Sequence, residues 1–417
     1  MPAGGPPPRT ATWETTMMDQ TTFGARLRAH RERAGKTRPV LGGLVGRSAE
    51  WVKALENGRL LPPRLPMLLH LAEVLGLTDL ADLADLTGDQ TLPVASVTRA
   101  GHPALDNVAA AMQRSPLPVG PATRVEVLRG LVGQAWELWH RSTTERTAVA
   151  GVLPGLLSEA QGSARRLDGL ARRQALVELA RVYHLAQLYL AHQPYPELVW
   201  LAADRAMLAA QDADDPAAIA AAGWYYAHVY RGANQIDAAE QVLVDAAALV
   251  DPAADDEQLA RWGQTQLGIA LGHSKAGRAG QAWRAWDAAD EAAGRLGSGY
   301  THPWLMFGPA ACATYTVTIE TDLCRPGAAV RRADTMDYRA LPSCTRRAAA
   351  LIEGARAHVL HRGEVAAVHL LGRALRESVD TVRHHPYART AVLELSSRPG
   401  MVGEDARELA LAIDVMG

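Results

Sequence analysis

Hydrophobic residues recur at helical spacing from residue 122 to the end of the chain and predict an all-α protein. The apolar positions follow a period of 3.6 residues, whereas the alternation typical of β-strands is nearly absent. Short turns containing Gly, Asn, Asp or Pro separate the segments. The clearest predicted helices are 124–140, 144–165, 170–191, 197–211, 216–232, 236–249, 257–275 and 279–295.

These helices follow one another in pairs, which predicts a tetratricopeptide-like α-solenoid. The expected pattern begins with a small residue in the first helix of a pair, followed by a turn. The second helix then has a small residue, a bulky apolar residue and another small residue. This pattern is carried by Ala227, Tyr230, Asn234, Ala239, Leu243 and Ala246, and 43 residues later by Ala270, Gly277, Ala282, Trp286 and Ala289. Divergent pairs are expected at 170–191 with 197–211, 305–321 with 326–336, and 345–362 with 364–379. An ordinary helical bundle is the alternative.

The stretch from Phe23 to Leu77 has shorter apolar segments and predicts a bundle of four short helices. Gly35 ends the first helix, and Thr37 caps the second. Gly46 supplies a tight turn, and Ser48 caps a third helix from Ala49 to Asn57. Gly58 ends that helix, and Leu65 to Leu75 forms the fourth. Two short helices joined by a tight turn indicate a helix-turn-helix, whose second helix would enter a major groove.

Charge supports nucleic-acid binding by this stretch. Residues 22–77 contain ten Lys or Arg against four Glu, a net charge of +6, whereas the whole chain carries −2. A local basic module is typical of binding to the phosphate backbone. The residues predicted to contact phosphate are Arg38, Asn57 and Arg59, and those predicted to face the groove are Ser48, Ala49, Glu50, Trp51, Lys53 and Ala54. A protein-interaction bundle with a solvated basic face is the alternative.

The punctuating residues of this stretch resemble those of the Cro/phage-repressor (xenobiotic-response-element) family. The resemblance is carried by Thr37-Arg38, Leu41-Gly42, Gly46-Arg47-Ser48, Val52, Leu55-Glu56-Asn57-Gly58-Arg59, Pro63 and Leu71-Ala72 to Leu75-Gly76. It implies that Thr37 joins the DNA-binding residues and that Arg31 pairs with Glu56 to lock the first helix to the end of the third. Two departures from the family are Arg38 in place of Gln, which would make that phosphate contact ionic, and the large Trp51 on the recognition helix.

The order of module, linker and array also resembles two larger groups of regulators. One is the peptide-pheromone receptors of Gram-positive bacteria, and the other is a set of actinobacterial repressor-type regulators with segments like Leu201–Met207 and Phe307–Ala310. The resemblance implies a transcriptional regulator, as in quorum sensing, that binds a double-stranded operator. Its array would sense a peptide or small molecule and support a homodimer.

The concave wall of such an array is where a ligand would bind, because the other helix face is buried between repeats. The predicted wall residues are Arg181, His184, Trp224, His228, Arg231, Gln264, Thr314 and Thr318. Aromatic and Arg side chains are good anchors for a ligand. Core packing remains the alternative for each aromatic, and a satisfied histidine is the alternative for His184 and His228.

The remaining features exclude other classes. We find no catalytic, cofactor-binding or metal-binding motif, so we expect no enzyme, no cofactor and no metal. The three cysteines lack CxxC spacing and no apolar run could span a bilayer, which predicts a cytoplasmic protein. The predicted organisation is a disordered tail (1–20), the helix-turn-helix domain (21–90), a linker with one short helix (91–121) and the array (122–417). Two alternatives remain: a scaffold array that binds a protein partner while the module tethers it to DNA, and a repressor without a ligand.

Overall fold

The computed structural model describes residues 23–60, 62–63, 65–77, 79–83, 100–114 and 122–415. Within these ranges the chain forms 21 α-helices, short 3-10 turns and no β-strand. The predicted tail and about half of the predicted linker, residues 91–99 and 115–121, lie outside the described residues. After the module, Leu80–Asp82 forms a 3-10 turn, and residues 84–99 also lie outside the described residues.

The first four helices form the amino-terminal module around a single apolar core. Leu27, Leu41, Val52, Leu55 and Leu71 are almost completely buried in it. Each of the four short helices contributes at least one of these residues, so each turns an apolar face inward. The helices are α1 (Phe23–Arg33), α2 (Arg38–Leu44), α3 (Ala49–Glu56) and α4 (Leu65–Leu75).

The rest of the described chain is a succession of antiparallel helical hairpins. It contains α5 (Leu105–Gln113), α6 (Val125–Arg141), α7 (Glu145–Ala150), α8 (Leu153–Arg166), α9 (Gly169–Leu190), α10 (Pro196–Ala213), α11 (Pro216–Gly232), α12 (Ile236–Ala247), α13 (Asp256–Lys275), α14 (Ala279–Leu296), α15 (Pro309–Asp322), α16 (Pro326–Thr335), α17 (Cys344–Leu360), α18 (Glu364–Glu377), α19 (Val379–His384), α20 (Pro386–Ser396) and α21 (Met401–Ala412). The predicted single helix 144–165 was wrong: the chain bends at Gly151 and Val152, and Pro154 lies in the first turn of α8, where a proline is tolerated.

A left-handed residue recurs at the turn inside each hairpin from α9 to α18. His192, Asn234, Gly277, Cys324 and Arg362 have φ between 59° and 75°, at intervals of 42, 43, 47 and 38 residues. In the last four turns the amide of the following residue bonds the carbonyl five positions earlier, as Arg325 does to Glu320 at 2.9 Å. This Schellman-type cap satisfies carbonyl groups at the helix end and reverses the chain.

The array closes on itself. Helix α6 packs against both α9 and α17, and α7 packs against α19. At this corner the ring of His140 bonds the hydroxyl of Ser343 at 2.9 Å and the carbonyl of Trp304 at 3.1 Å. The fully buried Glu145 accepts hydrogen bonds from Ser378 and Thr381 of the α19 region. The open concave groove expected for a solenoid is therefore enclosed by the chain's own helices.

The amino-terminal module rests on the row of hairpin turns. The carbonyl of Val40 accepts a contact from the thiol of Cys324 at 3.4 Å, and Lys36 donates to the carbonyl of Lys275 at 3.5 Å. Gly76 lies against Asn234, where an added Cβ would be 3.1 Å from the Asn234 Cβ. Turns of successive hairpins thus hold the module.

Both lysines at this junction are in a desolvated environment. Burial lowers the pKa of Lys36, although Asp322 opposes the shift. Burial also lowers the pKa of Lys275 to about 8, and its amino group donates to the carbonyl of Arg231 at 2.7 Å. In the described residues, no helix has the length and apolar content needed to cross a membrane.

Candidate nucleic-acid interface

Helices α2 and α3 form a tight two-helix unit because its caps and glycines match the predicted turn chemistry. The hydroxyl of Thr37 accepts from the Val40 amide at 3.4 Å, and that of Ser48 accepts from the Trp51 amide at 3.1 Å. Gly46 supplies a φ of 68° between the helices. At Gly42 an added Cβ would lie 2.8 Å from the Arg47 carbonyl oxygen, so only glycine permits this close approach.

The end of α3 is fixed to α1 and α2 by one buried carboxylate. Glu56 pairs with Arg31 at 2.5 Å and with Arg38 at 2.7 Å, and its side chain is fully buried. Arg31 also donates to the carbonyl of Lys36 at 2.8 Å, which positions the α1–α2 turn. The Arg31–Glu56 pair implied by the family resemblance is present.

This arrangement leaves one face of α3 exposed beside a basic groove. Glu50, Lys53, Asn57 and Arg59 are exposed along that face. The groove has a volume of about 640 Å³ and runs between the end of α1, the start of α2 and the first turns of α3. Its lining includes the cations Arg28, Arg31, Lys36, Arg38 and Lys53 and the acids Glu32 and Glu50.

Several residues predicted to contact DNA have structural contacts within the module. The Arg38 side chain is 34% exposed and its Nε atom donates to Glu56, so part of its charge is already neutralised. Trp51 is half-buried against the module core, with the guanidinium of Arg47 5.8 Å from its ring centroid. Ala49 and Ala54 are also half-buried. The most exposed members of the predicted set are Glu50, Lys53, Asn57 and Arg59, together with the cap residues Thr37 and Ser48.

The packed two-helix unit, its exposed second helix and the basic groove define a helix-turn-helix DNA-binding module. Residues 22–86 match a family model described as a helix-turn-helix domain, which supports a regulator of that type. No curated protein and no solved structure matched the chain. The tetratricopeptide and pheromone-receptor resemblances therefore remain predictions.

The residues of the predicted ligand wall form a partly to fully buried layer, and two cavities lie along it. Arg181 and His184 line a cavity of about 340 Å³. Trp224, Gln264, Thr314 and Thr318 line a second of about 70 Å³.

The other two predicted wall residues, His228 and Arg231, line neither of these two cavities. The ring of His228 lies 4.7 Å from that of Trp224, measured between centroids. Arg231 donates to the carbonyl of Gly268 at 3.3 Å, and its guanidinium lies 5.7 Å from the Trp224 ring. Both side chains therefore pack around Trp224 from within the layer.

Buried polar atoms without a protein partner occur in this layer, and others lie elsewhere in the described residues, for example at His384, His385 and Tyr387. Those in the layer include the Nε2 atoms of His184 and His228, the indole nitrogens of Trp224 and Trp304, the Tyr225 hydroxyl, Gln264 Oε1 and Arg261 Nη1. Most buried polar groups in proteins are hydrogen-bonded, so each of these atoms is an exception to that rule. The ligand wall predicted from the sequence does not include Arg261, which precedes the positions selected on its helix, or Trp304, which lies in an irregular loop.

Proposed function

We propose that this protein is a transcriptional regulator that binds duplex operator DNA through its amino-terminal module. The observation that carries the proposal is the exposed face of α3 beside the basic groove. The module contacts the array through Val40, Gly43, Gly46 and Arg47, whereas Lys53, Asn57 and Arg59 lie on exposed positions. An exposed helix with cations on one side fits entry into a major groove with phosphate contacts alongside.

We further propose that the array senses a small molecule. The enclosed wall supports this reading over a peptide receptor or a scaffold, since a long open groove would be needed to bind an extended chain. The cluster of unpartnered polar atoms supports a ligand rather than a wholly structural layer. A homodimer completes the proposal, because two modules related by a two-fold axis would read two half-sites about 34 Å apart.

DNA binding is tested with operators selected from a random duplex pool by the full-length protein. Lys53→Ala and Arg59→Ala should each weaken binding and reduce the slope of log K against log salt by about 1, because each removes one phosphate contact. Arg141→Ala is the matched control, since its side chain is 77% exposed on α6, away from the module. Unchanged slopes for both module variants would refute the proposed interface.

The homodimer is tested separately by measuring the molar mass of the protein bound to the selected operator. A mass corresponding to two chains on two half-sites is expected. One chain on one half-site would contradict the dimer and leave the DNA interface itself intact.

A further inference from the structure

The 340 Å³ cavity in the array is built by the first helices of three successive hairpins and one loop. Helix α9 contributes Arg181 and His184, α13 contributes Arg261, and the loop before α15 contributes Trp304. Alanines of α9 and α11, including Ala180, Ala218 and Ala221, form an apolar side of the same cavity. Its volume lies at the lower end of the range of roughly 300–1,000 Å³ typical of small-molecule sites.

Two carboxylates, Glu257 and Asp215, line this cavity, and each accepts a hydrogen bond from another group of the protein. Glu257 accepts from Arg261 Nε at 2.9 Å and pairs with His302 at 3.0 Å. Asp215 accepts from the backbone amide of Ala218 at 2.9 Å. The cavity therefore contains two carboxylates with protein partners.

Some N–H donors of the cavity lining have no hydrogen-bond partner, in contrast to these carboxylates. Arg261, whose side chain is 4% exposed, has no partner at Nη1, and the indole nitrogen of Trp304 has none either. Arg181 uses Nη1 to bond both carboxylate oxygens of Glu178, at 2.9 and 3.1 Å, and lies 3.8 Å over the Trp304 ring. A buried donor without an acceptor is unfavourable, so a ligand that brings an acceptor is favoured here.

We infer that this cavity binds a small carboxylate-bearing molecule, with the carboxylate between Arg181 and Arg261 and an apolar body against the alanines. A carboxylate is the acceptor that guanidinium groups bind best, through two parallel hydrogen bonds. This inference rests on the proposed sensing function and specifies the chemistry of its ligand. A ligand in this position would touch three hairpins at once and so fix their relative placement.

The binding itself is measured by calorimetry on the full-length protein without DNA. The probes are phenylacetate and hexanoate, each compared with its neutral amide, phenylacetamide or hexanamide. At least one acid should bind about tenfold more tightly than its amide, because only the acid carries the charge that the guanidinium groups recognise. This comparison uses the unaltered protein and so does not depend on the folding of any variant.

Three variants locate the site. Arg181→Gln and Arg261→Lys should each weaken binding of the acid about tenfold, since the first removes a guanidinium and the second keeps the charge beside Glu257 but removes Nη1. Arg129→Gln is the matched control, because Arg129 pairs with Glu178 at 3.1 Å but does not line the cavity. Its affinity for the acid should be unchanged.

The inference is overturned if neither acid binds more tightly than its amide, or if Arg129→Gln weakens binding as much as Arg181→Gln. Because the calorimetry contains no DNA, its outcome is independent of whether the module binds an operator. Failure of operator binding would remove the proposed regulator, whereas failure of acid binding would remove only this ligand class.

Discussion

At the scale of single residues, the candidate DNA interface depends on one buried carboxylate. Glu56 holds the two arginines that join α1, α2 and the end of α3. Removing one partner of a buried ion pair is costly, because the other charge stays desolvated without compensation. The orientation of the recognition helix is therefore coupled to the charge of a residue that the solvent does not reach.

We expect Glu56→Gln to destabilise the module by about 3 kcal/mol, since Arg31 would remain buried without an anionic partner. Hydrogen exchange of peptides from α1 and α3 in increasing urea would measure the change. Glu50→Gln is the control, because Glu50 is exposed and pairs with Lys53 at only 3.7 Å, and its effect should stay within about 0.5 kcal/mol. Equal effects of the two substitutions would show that the buried pair does not hold the module.

Sequence reasoning was most successful where a residue acts on its own backbone. Thr37, Gly46 and Ser48 were predicted as caps and turn because their chemistry acts within three or four residues. The contact of Glu56 with both Arg31 and Arg38 could not be derived in this way, because these arginines lie 25 and 18 positions from Glu56, respectively. The half-burial of Trp51 depends likewise on the packing of distant helices.

At the scale of helices, the sequence predicted which neighbouring helices form pairs but not that the array closes through the contact of α6 with α17. Apolar periodicity located α9 to α14 to within a few residues, because each helix turns a continuous face inward. Three of the repeating turns were harder to identify, since His192, Cys324 and Arg362 occupy left-handed positions where a sequence pattern expects glycine. The corner between α6 and α17 joins residues about 200 positions apart, which no local pattern encodes.

The closing corner makes the array sensitive to acid. Burial, with help from Arg346, lowers the pKa of His140 to about 3, so the folded state keeps this ring neutral while the unfolded chain binds a proton below about pH 6.5. Unfolding free energy should therefore fall as the pH decreases from about 6.5 towards 3, by about 1.4 kcal/mol per pH unit for this histidine alone.

His140→Gln should reduce that slope by the same amount, because it removes the titrating group and keeps a donor for the Trp304 carbonyl. Urea unfolding at pH 7, 6 and 5 would measure both slopes. Parallel pH dependences in the two proteins would mean that His140 is not responsible for the acid sensitivity.

At the scale of the whole molecule, the module and array meet through close backbone contacts. An added Cβ at Gly43 would lie 2.7 Å from Sγ and 2.8 Å from Cβ of Cys324. The module therefore depends on a small residue at one point of the row of turns. The place of the module near the amino end was predictable from its motifs and charge, whereas this docking was not, because the contact joins residues 43 and 324.

Gly43→Ala should weaken the docking of the module on the row of turns by at least about 1 kcal/mol, since the close contact cannot accommodate a methyl group. Faster hydrogen exchange in α2 and around Cys324, with the array core unchanged, would report the loss. Cys324→Gly should restore docking in the double variant, because it removes both clashing atoms at a position whose φ of 59° suits glycine. Absence of rescue would contradict this account of the junction.

The distribution of lysines has a practical consequence. The chain contains three, of which Lys36 and Lys275 are enclosed at the junction and Lys53 is exposed on α3. An amine-reactive dye should therefore label the side chain of Lys53, on the recognition helix, in preference to the other two lysines. A fluorophore attached there could follow the position of that helix without engineering a new attachment site.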